Sequence, residues 1–134
     1  MVTSSLLRLV LVTPEKTLLD EPVESLRFPL YDGQIGILPH RAPLVGRLGF
    51  GELRVRTAAG ERHYFIDGGF VQVKGDVVSL LTDRAVAVSE LDAASAEAEL
   101  TVARNRVARS DAEFGAKFRD LERSRRKLAL ARRK

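Results

Sequence analysis

The chain has 134 residues and a mass of 14.8 kDa, room for one domain with an appendage and enough length to bury a true core. Hydrophobic residues make up 45% and charged residues 30%, the balance of a globular rather than a disordered chain. The absence of cysteine excludes disulfide scaffolds, thiolate zinc sites and cysteine nucleophiles together. The apolar run Leu6 to Val12 has Arg8 inside it. It is too short to span a bilayer and carries no signal-peptide cleavage pattern. Direct bilayer insertion is therefore not expected, and a soluble chain on the cytoplasmic side is.

Charge divides the chain in two. Residues 1–88 hold 10 Lys and Arg against 10 Asp and Glu, whereas residues 89–134 hold 12 against 8 and so carry the whole net charge of +4. Nine of the ten glycines precede residue 88, and all five prolines precede residue 44. Turn formers sit in one part and net charge in the other. The reading is a domain over 1–88 and a second over 89–134.

The first part reads as strands. Ser4 to Thr13 is apolar and β-branched, and Pro14-Glu15-Lys16 ends it as a turn. Thr17 to Pro29 is a second extended stretch, expected to break at Pro22. Tyr31-Asp32-Gly33 is a turn before the short run Ile35 to Leu38. Ala59-Gly60, Gly68-Gly69 and Lys74-Gly75-Asp76 then punctuate the chain at short, regular intervals. Between them lie Glu52–Thr57, Glu61–Asp67, Phe70–Val73 and Val77–Leu81. Glu52, Arg54 and Arg56 alternate with Leu53 and Val55, the two-residue period of a half-buried strand. Short strands with no helical pattern between them argue for an antiparallel sandwich or barrel. Gly68-Gly69 inside an apolar run predicts a bulge or a close backbone approach.

After Val88 the composition turns to Ala, Glu, Leu and Arg, strong helix formers. Ser89-Glu90-Leu91-Asp92 resembles a capped start, with an apolar stripe on Leu91, Ala94, Ala98 and Val102. Ser110-Asp111-Ala112-Glu113 is a better capping box, which places the end of the first helix near Ala108. Phe114, Phe118, Leu121 and Leu128 give the second helix an apolar face. Two amphipathic helices on a short link predict an antiparallel hairpin, each arm about 30 Å long. From Phe114 onward nine basic residues stand against Asp120 and Glu122. Such a run is either a solvated face favoured by the helix C-terminus or a surface for an anionic partner.

Signatures of independent catalysis are missing. There is no phosphate-binding G-x-x-x-x-G-K-[ST] loop, and Gly49-Phe50-Gly51 has Arg54 where a dinucleotide fingerprint needs its third glycine. His40 and His63 are the two histidines, with no thiolates to complete a metal set. His63 reads as a surface or sheet-edge residue and His40 as a loop residue. No serine sits in a G-x-S-x-G elbow. The acids are scattered, with no pair placed for acid–base work. No cofactor and no metal is expected.

One stretch carries a resemblance. Asp32-Gly33-Gln34-Ile35-Gly36-Ile37-Leu38-Pro39-His40-Arg41-Ala42-Pro43-Leu44 resembles the G-x-x-G-I-L-P-x-H-A-P-L signature of the epsilon subunit of F-type ATP synthases. Leu48-Gly49-Phe50-Gly51-Glu52-Leu53, Tyr64 to Val73 and Leu80 to Ala85 are similar to further segments of that family, in order. The likeness extends over the whole chain, since the family also ends in a helical hairpin. It implies an N-terminal antiparallel β-sandwich followed by a C-terminal antiparallel two-helix hairpin.

The resemblance also implies a role. A non-catalytic subunit of the central stalk would dock its sandwich on the gamma subunit and the polar loops of the c-ring. Gln34, His40, Arg41, Ala42 and Pro43 would form the docking loop. The hairpin would fold back or open into the hexamer of alpha and beta subunits and inhibit ATP hydrolysis, its basic residues facing an acidic segment of beta. Arg123, Arg125, Arg126 and Lys127 are the expected contacts, with Arg132 and Arg133 equally basic. An opened pair of helices would reach about 60 Å. Such a chain would be peripheral to the cell membrane, on its cytoplasmic side, through the complex.

Two departures from the family pattern are visible. The family histidine falls at Arg41, with His40 in the variable position, and Gln34 stands where an acid is frequent. Some members bind ATP through an [IL]-D-x-x-R-A motif. Here Leu91-Asp92-Ala93-Ala94-Ser95-Ala96 has Ser95 in place of the arginine, which removes a strong phosphate donor. Asp83 and Asp92 would be the remnants of such a site, and ATP sensing is expected to be weak or absent.

Two other readings compete. A small β-barrel with a basic tail suits a nucleic-acid-binding module drawing on phosphate attraction. Against it, such platforms need exposed aromatics, and the aromatics here fall mostly within apolar strands, so nucleic acid is not expected. The blander alternative is an interaction scaffold whose basic hairpin is only soluble surface.

Overall fold

The computed structural model describes residues 6–40 and 42–133. Ten strands come first: β1 (Leu7–Val12), β2 (Thr17–Val23), β3 (Ser25–Leu30), β4 (Gly33–Ile37), β5 (Leu44–Arg47), β6 (Phe50–Thr57), β7 (Gly60–Asp67), β8 (Phe70–Lys74), β9 (Val77–Leu81) and β10 (Ala85–Ala87). A 3-10 turn over Val88–Glu90 leads to α1 (Ala93–Asn105) and α2 (Asp111–Arg133). The chain divides into two compact units between Val86 and Ala87.

The strands form two five-stranded sheets, ordered β2-β1-β9-β8-β5 and β10-β7-β6-β3-β4. Pairing is antiparallel between β1 and β2, β3 and β4, β6 and β7, and β8 and β9, whereas β1 and β9 run parallel. The two-residue period decides what lies between the sheets. Leu7, Leu9 and Leu11 of β1 are buried, as are Leu53 and Val55 of β6, and they pack with Phe28, Ile66, Val78 and Leu80 in one core. Fully burying side chains of this size stabilises the fold by about 1.5–3 kcal/mol each. Arg54 and Arg56 alternate outward on β6.

The Gly68-Gly69 pair is a close backbone approach. Gly69 adopts a φ of 110° and lies against the carbonyl of Leu81, where a Cβ has no room. The Gly69 carbonyl accepts from the Leu48 N–H at 2.8 Å, and Gly68 N–H donates to the Gly49 carbonyl at 3.0 Å. Gly49 is itself pressed against the Leu30 carbonyl. The glycines therefore stitch the two sheets together where the chain crosses between them.

Some boundaries differ from the sequence reading. The stretch from Thr17 divides at Glu24, not at Pro22: Pro22 lies within β2, which is an edge strand and does not need every N–H. The short strands β5 and β10 fell outside the sequence reading; each is at a sheet edge with few residues to show a period. The first residues of the predicted opening strand lie outside the described residues.

In the second unit the helices are unequal, 13 residues against 23. Asp92, not Ser89, caps α1: its carboxylate accepts from Ala94 N–H at 3.2 Å and from the Ser95 hydroxyl at 2.8 Å. The buried stripe of α1 is Ala96, Leu100 and Ala103, while Val102 of the predicted stripe is exposed. Both stripes keep helical spacing, and the choice falls to the face carrying Leu100, which meets Leu128 of α2. The helix ends at Asn105, three residues before the expected Ala108, because Arg106 turns extended at φ −63° and ψ 133°. The predicted capping box at Ser110 forms. Its hydroxyl accepts from Glu113 N–H at 3.1 Å, and the Glu113 carboxylate accepts from Arg109 N–H at 2.7 Å.

Candidate docking and basic-helix surfaces

Gln34 and the loop residues run along one margin of the sandwich. Gln34 lies on β4, the edge strand of its sheet, opposite Pro29. His40, Ala42 and Pro43 follow in the loop that carries the chain from β4 to β5, the edge strand of the other sheet. Gln34 and Leu38 are separated by about 13 Å of strand. The expected residues thus form a strip along β4 and its exit loop, not one compact cluster. His40 has a positive φ of 67° and its N–H points to the Asp76 carboxylate at 3.4 Å. Arg41 lies outside the described residues. His63 sits on β7, with Nδ1 at 3.0 Å from Glu52 and Nε2 at 3.7 Å from Glu61.

A second surface was not read from the sequence. On the outer side of the first sheet Arg47 pairs with Phe70, Phe70 with Leu81, and Leu81 with Val12, so these residues form one row across four strands. Val45 and Phe70 are exposed at 77% and 62%, and Leu81 at 52%. Arg47 also lies 4.8 Å above the Tyr31 ring. An open hollow of about 560 Å³ is lined by Val12, Pro14, Arg47, Phe70, Leu81 and Asp83. The signal was present: β9 reads Val-Val-Ser-Leu-Leu, apolar at both phases of the alternation, the pattern of a strand covered on both faces. Of the aromatics, Phe28, Phe50, Tyr64, Phe65 and Phe70 lie on strands, as expected, while Tyr31, Phe70, Phe114 and Phe118 are exposed.

In the hairpin several of the basic residues are engaged by acids. Asp120 accepts from Arg106 of α1 and, at 2.7 Å, from Arg123. Lys127 meets Glu99 at 3.1 Å, Arg125 meets Glu122 at 2.8 Å, and Arg132 approaches Glu97 at 3.7 Å. Arg126 is exposed on α2. Burial by itself would raise the Asp120 carboxyl. The hydrogen bonds and charges of Arg106 and then Arg123 outweigh it and hold the group below 3.8. Of the expected nucleotide residues, Asp92 has both carboxylate oxygens committed to the start of α1, and Asp83 lies beside Gly68 in the loop after β9. Among the described residues no helix is long and apolar enough to cross a membrane.

Comparison with known proteins places these surfaces in context. Residues 6–88 match the family described as ATP synthase, Delta/Epsilon chain, beta-sandwich domain. The ATP synthase epsilon chain of Rhodopirellula baltica is 50% identical over 86 residues, 64% of this chain and 67% of that one. The sodium ion specific epsilon chain of Propionigenium modestum is 34% identical over 97 residues, 72% of this chain and 71% of that one. A chain of the Euglena gracilis mitochondrial ATP synthase, solved as OSCP/F1/c-ring, superposes with a TM-score of 0.84 at 27% identity, covering 93% of this chain and 81% of that one. A chain of the Tetrahymena thermophila central stalk and c-ring shares the fold, with a TM-score of 0.76 at 16% identity over 93% of this chain and 96% of that one. The chain belongs to the epsilon chains of the ATP synthase, non-catalytic subunits of that membrane-associated complex.

Proposed function

We propose that the sandwich fixes this chain to the gamma subunit and the c-ring, and that its hairpin inhibits ATP hydrolysis in the hexamer of alpha and beta subunits. The observation that carries this reading is the segregation of charge. The sandwich region is neutral, whereas α2 contains eight Lys and Arg against four Asp and Glu. The strip from Gln34 to Pro43 and the apolar row through Phe70 offer the sandwich two adhesive faces. The hairpin offers cations: Arg123, Arg125 and Lys127 would exchange their internal acids for an acidic segment of beta when the helices open, and Arg126 would join them there. Opening would be a population shift, favoured by contacts made in one state only. Nucleotide is not required for it, since the Asp92 carboxylate is occupied and Ser95 stands where an arginine would hold phosphate.

The experiment is co-elution of this chain with its own gamma subunit, followed by ATPase assays of the complex. A stoichiometric complex is expected, with residues 89–134 dispensable for assembly and required for inhibition. Loss of assembly on that truncation would overturn the division of labour. Micromolar ATP binding by calorimetry would overturn the nucleotide-independent switch.

A further inference from the structure

The loop between β4 and β5 is held from outside itself. Lys74 of β8 pairs with Val77 of β9, which leaves Gly75 and Asp76 as a two-residue turn. Gly75 takes a φ of 60°, the glycine-first geometry of a tight hairpin. The Asp76 carbonyl accepts from the Arg8 N–H at 2.7 Å, so the turn is tied to β1 as well. Leu44 lies opposite Val73, and this pairing brings the end of the loop to the same end of the sheet as the turn. There the Asp76 carboxylate stands 3.4 Å from the His40 N–H, across 36 positions of sequence. His40 is the only non-glycine residue with a positive φ among the described residues, at 67°. A residue with a Cβ is disfavoured in that conformation and keeps it only where its surroundings hold it. Asp76 makes no ion pair with another described residue, so its carboxylate is available to the loop.

We propose that Asp76 is a positioning residue, the acceptor that keeps His40 at positive φ and so fixes the course of the loop from Leu38 to Pro43. Three features support it. The carboxylate is charged and accepts from a backbone N–H, which makes a stronger bond than a neutral acceptor would. The turn that carries it is rigid, held by the β8–β9 pairing, by Gly75 and by the Arg8 N–H. The residue it meets is the one whose φ sets the direction of the chain on either side, with the 66% exposed Leu38 before it and Ala42 and Pro43 after it. At 3.4 Å the bond is long, so the carboxylate biases the loop by a few-fold and does not lock it. Its consequence for the complex rests on the docking reading of the strip from Gln34 to Pro43: a loop already in one conformation loses less freedom when a partner binds. The fixing of the loop itself does not depend on that reading.

The test compares Asp76→Ala and Asp76→Asn with the parent in the full chain by NMR. The readouts are amide exchange at His40 and the strong intraresidue HN–Hα cross-peak that marks a positive φ. In Asp76→Ala the His40 amide should exchange faster by about threefold or more, and the cross-peak should weaken. In Asp76→Asn, whose side-chain carbonyl still accepts, both should stay near the parent. An unchanged His40 in Asp76→Ala overturns the proposal, as does an Asn variant that behaves like the Ala one. Faster exchange throughout β8 and β9 in Asp76→Ala overturns it too, because the residue would then be shaping its own turn. Co-elution with the gamma subunit and the c-ring is measured in parallel, with binding expected to weaken about threefold in Asp76→Ala and to recover in Asp76→Asn. A changed loop with unaltered binding upholds the positioning role and removes the docking reading, so the two fail separately.

Discussion

The Lys127 ammonium lies between the two carboxylate oxygens of Glu99, at 3.1 and 3.2 Å, tying α2 to α1. The same cation is among those proposed to meet an acidic partner, and on that reading the internal acid and the external one would compete for it. Glu97→Gln with Glu99→Gln should therefore strengthen inhibition of ATP hydrolysis by about two- to thirtyfold, each of the two exposed pairs being worth ~0.2–1 kcal/mol. Titration of the variant into the gamma–hexamer complex measures this. Weaker inhibition would show that the acids help the open form instead.

Asp120 joins α1 to α2 through Arg106 while also holding Arg123. Its carboxyl is lower in the folded hairpin than its ordinary 3.8. A depressed acid stabilises the fold fully above its unfolded value, and that contribution disappears as pH falls through the lower folded one. Hairpin helicity should thus be insensitive to Asp120 above about pH 5 and fall below about pH 4. Carboxyl NMR titration reports the group directly, and Asp120→Asn should flatten its share of the acid transition. A midpoint above 3.8 would contradict the arrangement.

Phe70 sits in the exposed apolar row of the first sheet. Phe70→Glu should leave stability within about 0.5 kcal/mol of the parent, as surface changes usually do. It should weaken gamma binding at least tenfold if that row is a docking face. Thermal melts and sizing-column co-elution separate the two effects. Unaltered co-elution removes the row from the interface.

Gly69 has a φ of 110° beside the Leu81 carbonyl. Gly69→Ala should destabilise the sandwich by about 1–3 kcal/mol from backbone strain alone, with more from the displaced carbonyl. Gly46→Ala is the control. That site has ordinary φ and only side-chain neighbours at 3.4 Å, so chemical denaturation should rank it well below Gly69.

The inhibition proposed for the basic helix would rest on electrostatic attraction across solvent. Raising ionic strength from about 0.01 to 0.15 M shortens the screening length from about 30 to 8 Å. Inhibition should weaken over that range, and Arg125→Ala/Arg126→Ala should flatten the dependence. Salt-independent inhibition would point to packing in place of charge.

Much of this molecule follows from local chemistry that a single chain displays. Alternation in Glu52–Thr57 exposes the phase of β6, Gly68-Gly69 marks a backbone crossing, and Ser110 with Glu113 caps α2 without help from distant residues. These depend on neighbours a few positions away, where spacing and side-chain type decide the outcome. The tertiary structure alone decided which of two helical stripes on α1 would be buried, since only Leu128 across the hairpin selects Leu100 over Val102. It likewise decided that Arg47, Phe70, Leu81 and Val12 align in one row, because register between strands far apart in sequence places them there. The pairing of Lys127 with Glu99 and of Arg106 with Asp120 belongs to the same class. Charge in the sequence says that α2 seeks acids; only the folded hairpin says which acids already hold it, because long-range pairing depends on where the chain turns back.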